Sequence, residues 1–260
     1  MTNRTAALPV EAIAPISRDT DAAGLARAVD ERLLADLRVL APADWDRPTE
    51  CVPWTVADMV GHLIGAAAAN ASVREMLRQL AWSARHRGEY DGNALDATND
   101  LQVRDHADLS PAERVRRLEE LMPAAVAGRM RLPRLLRRVR VPLDTGGSTA
   151  EGMPATLGLD HLVDVVYTRD AWLHRVDIAR ATGRELALDP AVDGRVVADV
   201  VREWAARHGR PFRLELTGPA GGRFASGSGG EELRLDAVEF CRVLSGRAPA
   251  DGLLAWRVLF

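Results

Sequence analysis

A mainly helical protein, a bundle of four long helices followed by a small α+β unit, is what this sequence predicts. Three observations carry the prediction. Apolar residues recur at helical intervals through the first part of the chain, and two of those segments open on capping boxes. The period switches to two only near Arg213.

Residues 1–18 are interrupted by Pro9, Glu11 and Pro15, which deny them a signal-peptide core, and they read as a flexible N-terminal segment. The bundle follows, over residues 19–185. From Asp19 to Leu40, Leu25, Val29, Leu33, Leu37 and Leu40 form the apolar stripe of an amphipathic helix. Three prolines and two tryptophans make Ala41 to Trp54 a loop. The next helix starts at Thr55, because Thr55 and Asp58 have capping-box spacing, and His62 then lies about two turns inside it. A second box, Ser110 to Glu113 with Pro111 at the first helical position, opens a helix expected to reach Ala127. Arg129 to Pro154 reads as a long irregular connection, and Leu159 to Thr182 as a strong helix stopped by Gly183.

Residues 186–260 are expected to form the small α+β domain. Asp189-Pro190 can open a helix running to Gly209, Arg213 to Thr217 alternates as a strand, and Gly218 to Gly230 is turn-rich. Leu233 to Leu235 fits a further strand, Asp236 caps a helix through Leu244, and Leu253 to Phe260 fits an edge strand or a helix.

Composition narrows the function. With 47% apolar and 27% charged residues the chain is globular, and a net charge of -3 gives it no general attraction for nucleic acid. No apolar run is long enough to span a bilayer, so a cytoplasmic location is expected. Cys51 and Cys241 form no CxxC and read as two reduced thiols.

Asp170 and His174 are four residues apart, so they share one helical face and can reach a common ion. His62, inside a helix of otherwise small and apolar residues, is the natural third ligand. Two imidazoles and a carboxylate suit Zn²⁺ and leave a coordination position open. Asp177, seven residues after Asp170, returns to the same face and can orient His174. His161 falls on the opposite face, and His86, His106 and His208 read as solvated surface residues. On spacing alone, an ordinary helical ion pair with His62 as a core histidine is the commoner reading.

The string Cys51-Val-Pro-Trp54-Thr55-Val-Ala-Asp58-Met-Val-Gly-His62-Leu63, followed by Arg169-Asp170-Ala-Trp172-Leu-His174-Arg175-Val-Asp177, resembles the mycothiol-dependent maleylpyruvate isomerase family of the DinB-like superfamily. The resemblance implies an up-down-down-up four-helix bundle that holds a divalent metal through His62, Asp170 and His174. The metal would be zinc, with nickel or iron as alternatives. It also implies mycothiol, the low-molecular-weight thiol of actinobacteria, as co-substrate in isomerisation or S-transfer on a small electrophile. No catalytic residue is assigned beyond the metal centre. Asp170 stands where the isomerase has Glu, so this carboxylate is one methylene shorter. Two rival readings stay open: a non-catalytic metal-binding or partner-binding bundle, and a hydrolase acting through metal-bound water. The expected partners are a small thiol and an electrophilic substrate, with no nucleic acid and no membrane, in a monomer or homodimer.

Six arginines lie between Arg129 and Arg140. They read as a solvated helix face whose stems cover Leu132, Leu135, Leu136 and Val139, in preference to an anion-attracting rim. The Asp144 to Ser148 loop reads as a connector, and the glycines of 218–230 lack the spacing of a phosphate loop.

Overall fold

The structure, a computed structural model, describes residues 6–143 and 153–260. The chain divides into two compact units, the larger between Asp21 and Glu185 and the smaller from the N-terminal residues up to Thr20 with Leu186–Phe260. Strand β1 (Leu8–Pro9) belongs to the smaller unit.

In the larger unit α1 (Ala22–Arg38), α2 (Val56–Ala71), α3 (Val73–His86), α4 (Ala94–Arg104) and α5 (Pro111–Arg131) follow one another. A short α6 (Arg134–Arg137) leads to the antiparallel pair β2 (Arg140–Pro142) and β3 (Thr156–Gly158). The last helical stretch is α7 (Leu159–His161), a π-helical turn at Leu162–Val166, and α8 (Tyr167–Thr182). Helices α1, α2, α5 and α8 make the bundle, with α1 and α2 each packed against both α5 and α8. Both capping boxes form: Thr55 N–H donates to Asp58 Oδ2 at 2.9 Å, and Ser110 N–H to Glu113 Oε2 at 2.8 Å. Gly183, at φ 66°, ends α8 in the left-handed conformation that glycine adopts without steric cost. Helices α2 and α5 approach closely at Gly128, where a Cβ would lie 2.0 Å from the carbonyl oxygen of Asn70.

Three departures from the sequence expectation have a physical reason. Residues 72–109, given no element from sequence, hold α3 and α4. The apolar stripe of α3, Val73, Met76, Leu77 and Leu80, is exposed, while its buried residues are the polar Gln79 and Ser83. Periodicity therefore points the wrong face inward. Second, α5 runs to Arg131, which places Arg129 on the same inner face as Met122, Ala125 and Val126. Third, the solvated-arginine reading is corrected: Arg129 and Arg137 are buried, whereas Leu135 is 79% exposed, with Leu136 and Val139 also exposed. The Asp144 to Ser148 loop lies outside the described residues.

In the smaller unit α9 (Asp193–His208) accompanies a sheet of β4 (Phe212–Thr217), β5 (Gly222–Ser226) and β6 (Glu231–Asp236), followed by α10 (Ala237–Ser245). The strand order is β1-β5-β4-β6, with β4 antiparallel to β5 and parallel to β6. Strand β5 falls in the glycine-rich stretch read as turns. The segment expected to be flexible is instead, from Leu8 on, part of this unit. Leu8 and Pro9 pair with Phe224 and Ala225, and Val10, Ile13 and Ile16 are buried, because this sheet edge and its core lack other cover. Gly252–Ala255 forms a 3₁₀ turn in the tail. Among the described residues no helix is long and apolar enough to cross a membrane.

His208 corrects a further expectation. Rather than a surface residue, it is 8% exposed, its ring 4.4 Å from that of Trp204, and its Nδ1 accepts the Arg210 N–H at 3.0 Å. Burial, and then the Arg210 charge, push its pKa down to about 4. His86 stacks on Trp82 at 4.1 Å, and His106 bonds the Gln102 carbonyl; both are half-buried. For His208 the linkage has a definite sign. Between its folded pKa and the unfolded value near 6.5 the unfolded chain binds more protons, so stability falls as pH drops from about 6.5 to about 4. Thermal melts across that range should show a fall in Tm that is smaller in His208→Gln. Equal slopes in the two proteins would refute this.

Candidate metal centre

The local chain dictates where the site forms. The Thr55–Asp58 cap fixes the start of α2, which carries His62 inward, where it is 7% exposed. On α8, Asp170 and His174 stack one turn apart. The two helices bring all three side chains together: His62 Nε2 lies 3.5 Å from Asp170 Oδ2, and His174 Nε2 lies 3.2 Å from Asp170 Oδ1. The imidazole centroids are 5.3 Å apart, with the ring planes nearly perpendicular. One ligand atom from each residue falls within 4.8 Å of the others.

Asp177, fully buried, accepts a hydrogen bond from His174 Nδ1 at 3.0 Å. That bond keeps a proton on Nδ1 and turns Nε2 toward Asp170. Among the described residues His62 Nδ1 is buried without a hydrogen-bond partner, and the ring lies against Trp54, 5.1 Å away and tilted by 33°.

Trp54 comes from a loop the sequence marks only by its prolines. The loop is tied by Thr49 N–H to Trp54 O at 2.9 Å and Trp54 N–H to Cys51 O at 2.8 Å, and contains a cis Val52–Pro53 bond. It lays the indole near both histidines, 6.4 Å from His174. It also sets the Cys51 thiol 3.7 Å from Asp177 Oδ2. Cys51, His174 and Asp177 thus form a second close group, but His174 Nδ1 and Asp177 are already engaged with each other. The sequence reading gives Trp54 no role, because nothing local predicts that a loop tryptophan will turn onto a helix. His161 is not in either cluster of potential ligands among the described residues.

Electrostatics bind the cluster together. Burial opposes the charge on Asp170, yet His174 and His62 bond to it and hold its carboxyl well below the usual carboxylate range. Burial likewise opposes a charged His174, but Asp170, Asp177 and Cys51 raise its pKa well above 6.5.

The donor set fits a divalent metal. Ligand atoms bound to a tetrahedral ion stand about 3.3 Å apart, given bonds of about 2.0–2.1 Å. The 3.2 and 3.5 Å separations, one to each Asp170 oxygen, are near that value, and one ligand atom from each residue lies within 4.8 Å of the others.

Residues 26–179 match the family described as the mycothiol maleylpyruvate isomerase N-terminal domain, more than half of the chain. The chain belongs to this family. Among solved structures it is similar to the crystal structure of the mycothiol-dependent maleylpyruvate isomerase and to that of a histidine-to-alanine mutant of it. Each likeness has a TM-score of 0.53 at 16% identity and covers 93% of this chain and 90% of the other. At that identity the likeness establishes the fold, which includes the small α+β part as well as the family's helical domain. No curated protein matches the sequence.

Proposed function

We propose that this protein is a metal-dependent enzyme that uses mycothiol to isomerise a small electrophilic substrate, or to join the thiol to it through sulfur with displacement of a leaving group. The observation that carries the reading is the convergence of His62, Asp170 and His174 from two helices, with one ligand atom of each within 4.8 Å of the others, in a chain of this family. His62 Nε2, Asp170 and His174 Nε2 would hold the ion, zinc being the best match to two imidazoles and a carboxylate. When bound, such an ion supplies a Lewis acid that lowers the pKa of a thiol and polarises a carbonyl.

The chain's own residues do the rest. Asp177 holds the proton on His174 Nδ1 and fixes the ring, while Trp54 covers both imidazoles and keeps water from that side. Asp170, 23% exposed at its side chain, marks the open side from which thiol and substrate approach. In the isomerisation, the thiolate adds to an activated double bond and the π pair moves onto the conjugated carbonyl oxygen. The former double bond rotates, and the pair returns to expel the same thiolate. No atom is gained or lost. The protein needs no nucleophile of its own: Cys241 is fully buried, and the half-buried Cys51 thiol is directed at Asp177. We place the enzyme in the cytoplasm, where its thiol co-substrate would be kept reduced.

The test is thiol-dependent turnover with zinc-loaded protein, using maleylpyruvate and a panel of epoxides. Turnover that requires thiol supports the proposal. Turnover without thiol would mark a hydrolase, and a zinc-loaded protein inert toward every substrate would favour a binding role.

A further inference from the structure

A small cleft of about 40 Å³ adjoins the metal centre, walled by all four bundle helices. Its polar lining is Asp30 on α1, Asn70 on α2, Arg129 on α5, and Tyr167 and Asp170 on α8; the remaining walls are apolar. Arg129 is its unusual member. The side chain is 6% exposed, and its one hydrogen bond from a side-chain nitrogen among the described residues runs from Nη1 to Thr168 Oγ1 at a long 3.3 Å. Its Nε is buried without any partner. Among the described residues no carboxylate lies within ion-pair distance of it, and the charges of Asp30 and Asp164 reach it only from farther away. Buried guanidinium groups ordinarily carry a paired anion, because an unpaired one loses its hydration without compensation.

We propose that Arg129 is the carboxylate anchor of a substrate subsite beside the metal centre, holding an acidic electrophile within reach of the thiol. The assignment of the ligand as substrate rests on the proposed function; the anion site rests on Arg129 itself. The guanidinium fork matches a carboxylate in shape and charge. Tyr167, whose ring lies 6.0 Å from the Arg129 Cζ, closes one wall.

Asp30 faces the same space and tunes it. Its neighbours are Arg129 on α5, Tyr167 and Asp170 on α8, and Glu31 beside it, while α2 contributes no titratable group to the cleft. Burial pushes the Asp30 carboxyl up to about 7 in spite of the pull of Arg129. It can therefore take up a proton when an anion enters, which removes the repulsion and adds a donor.

Calorimetry with the zinc-loaded full chain, without thiol, tests this with maleate and its uncharged analogue maleamide as probes. Maleate should bind at least about tenfold more tightly, the scale of a charge-assisted bond. The preference should vanish in Arg129→Gln, persist in part in Arg129→Lys, and survive in His174→Ala, which separates anchoring from direct contact with zinc. No preference in the wild type, or an unchanged preference in Arg129→Gln, overturns the proposal. Should Arg129→Gln not fold by circular dichroism, the wild-type comparison and Arg129→Lys still decide. A thiol-active enzyme without the preference loses the anchor and keeps the reaction. An inactive, metal-free protein with an Arg129-dependent preference loses the reaction and keeps the anchor.

Discussion

His174→Ala should abolish metal binding, taking the purified protein from about one divalent ion per chain to background by elemental analysis. His174 supplies one of the three donors, and removing a ligand from a site with only three protein groups leaves too few to outcompete water. His62→Ala should do the same from the other helix. Asp177→Asn keeps a group of the same shape against His174 Nδ1 but loses its charge, so affinity should fall only about 10- to 100-fold. The pH dependence has a fixed direction. With its pKa raised well above 6.5, His174 holds a proton that the ion must displace, so occupancy at constant free zinc should grow as pH rises. Full metal retention in His174→Ala would remove the site and the proposed reaction with it.

Asp164→Ala should destabilise the bundle by about 3–5 kcal/mol, the usual result of leaving one member of a buried ion pair alone. Arg137 Nη1 and Asp164 Oδ2 are 2.7 Å apart, with side chains 8% and 6% exposed. Arg137 also donates from Nε to Leu132 O at 3.2 Å and from Nη2 to Arg129 O at 2.8 Å, so it ties the end of α5 to the π-helical turn before α8. Those carbonyl bonds hold the guanidinium in place but do not neutralise it. Replacing both partners with apolar residues, Arg137→Met with Asp164→Leu, should recover much of the loss because no buried charge remains. Urea denaturation checks both; a loss below about 1 kcal/mol in the single variant would show that water reaches the pair. Because Arg137 braces the carbonyl of Arg129, Asp164→Ala should also weaken maleate binding at the cleft.

Much of the architecture could be read from neighbouring residues alone. The Thr55–Asp58 and Ser110–Glu113 boxes, the Gly183 stop and the alternation of Arg213 to Thr217 each express hydrogen bonding or packing within a few positions. So does the pairing of Asp170 with His174, which needs only the 3.6-residue turn. His62 was the limit of that reasoning: its place inside an apolar helix made it a candidate, but its partners lay more than a hundred residues away, and the family resemblance was what tied it to them.

Burial was the property that sequence pattern misjudged. Long arginines beside leucines read as a snorkelling surface, yet Arg129 and Arg137 lie inside and Leu135 outside. The sense of burial there depends on Asp164, from another helix, and on the extra turn of α5. Helix α3 shows the same inversion, and β1 is ordered by a strand that begins more than two hundred residues later. By itself, then, the sequence determined the capped starts of α2 and α5, the Gly183 stop of α8 and the residue types of the metal centre, since those follow from interactions spanning one turn. The tertiary structure decided which charges are buried, where Trp54 lies, and that Arg129 faces a cleft with no carboxylate within ion-pair distance among the described residues. Each of these depends on surfaces brought together only when distant helices pack.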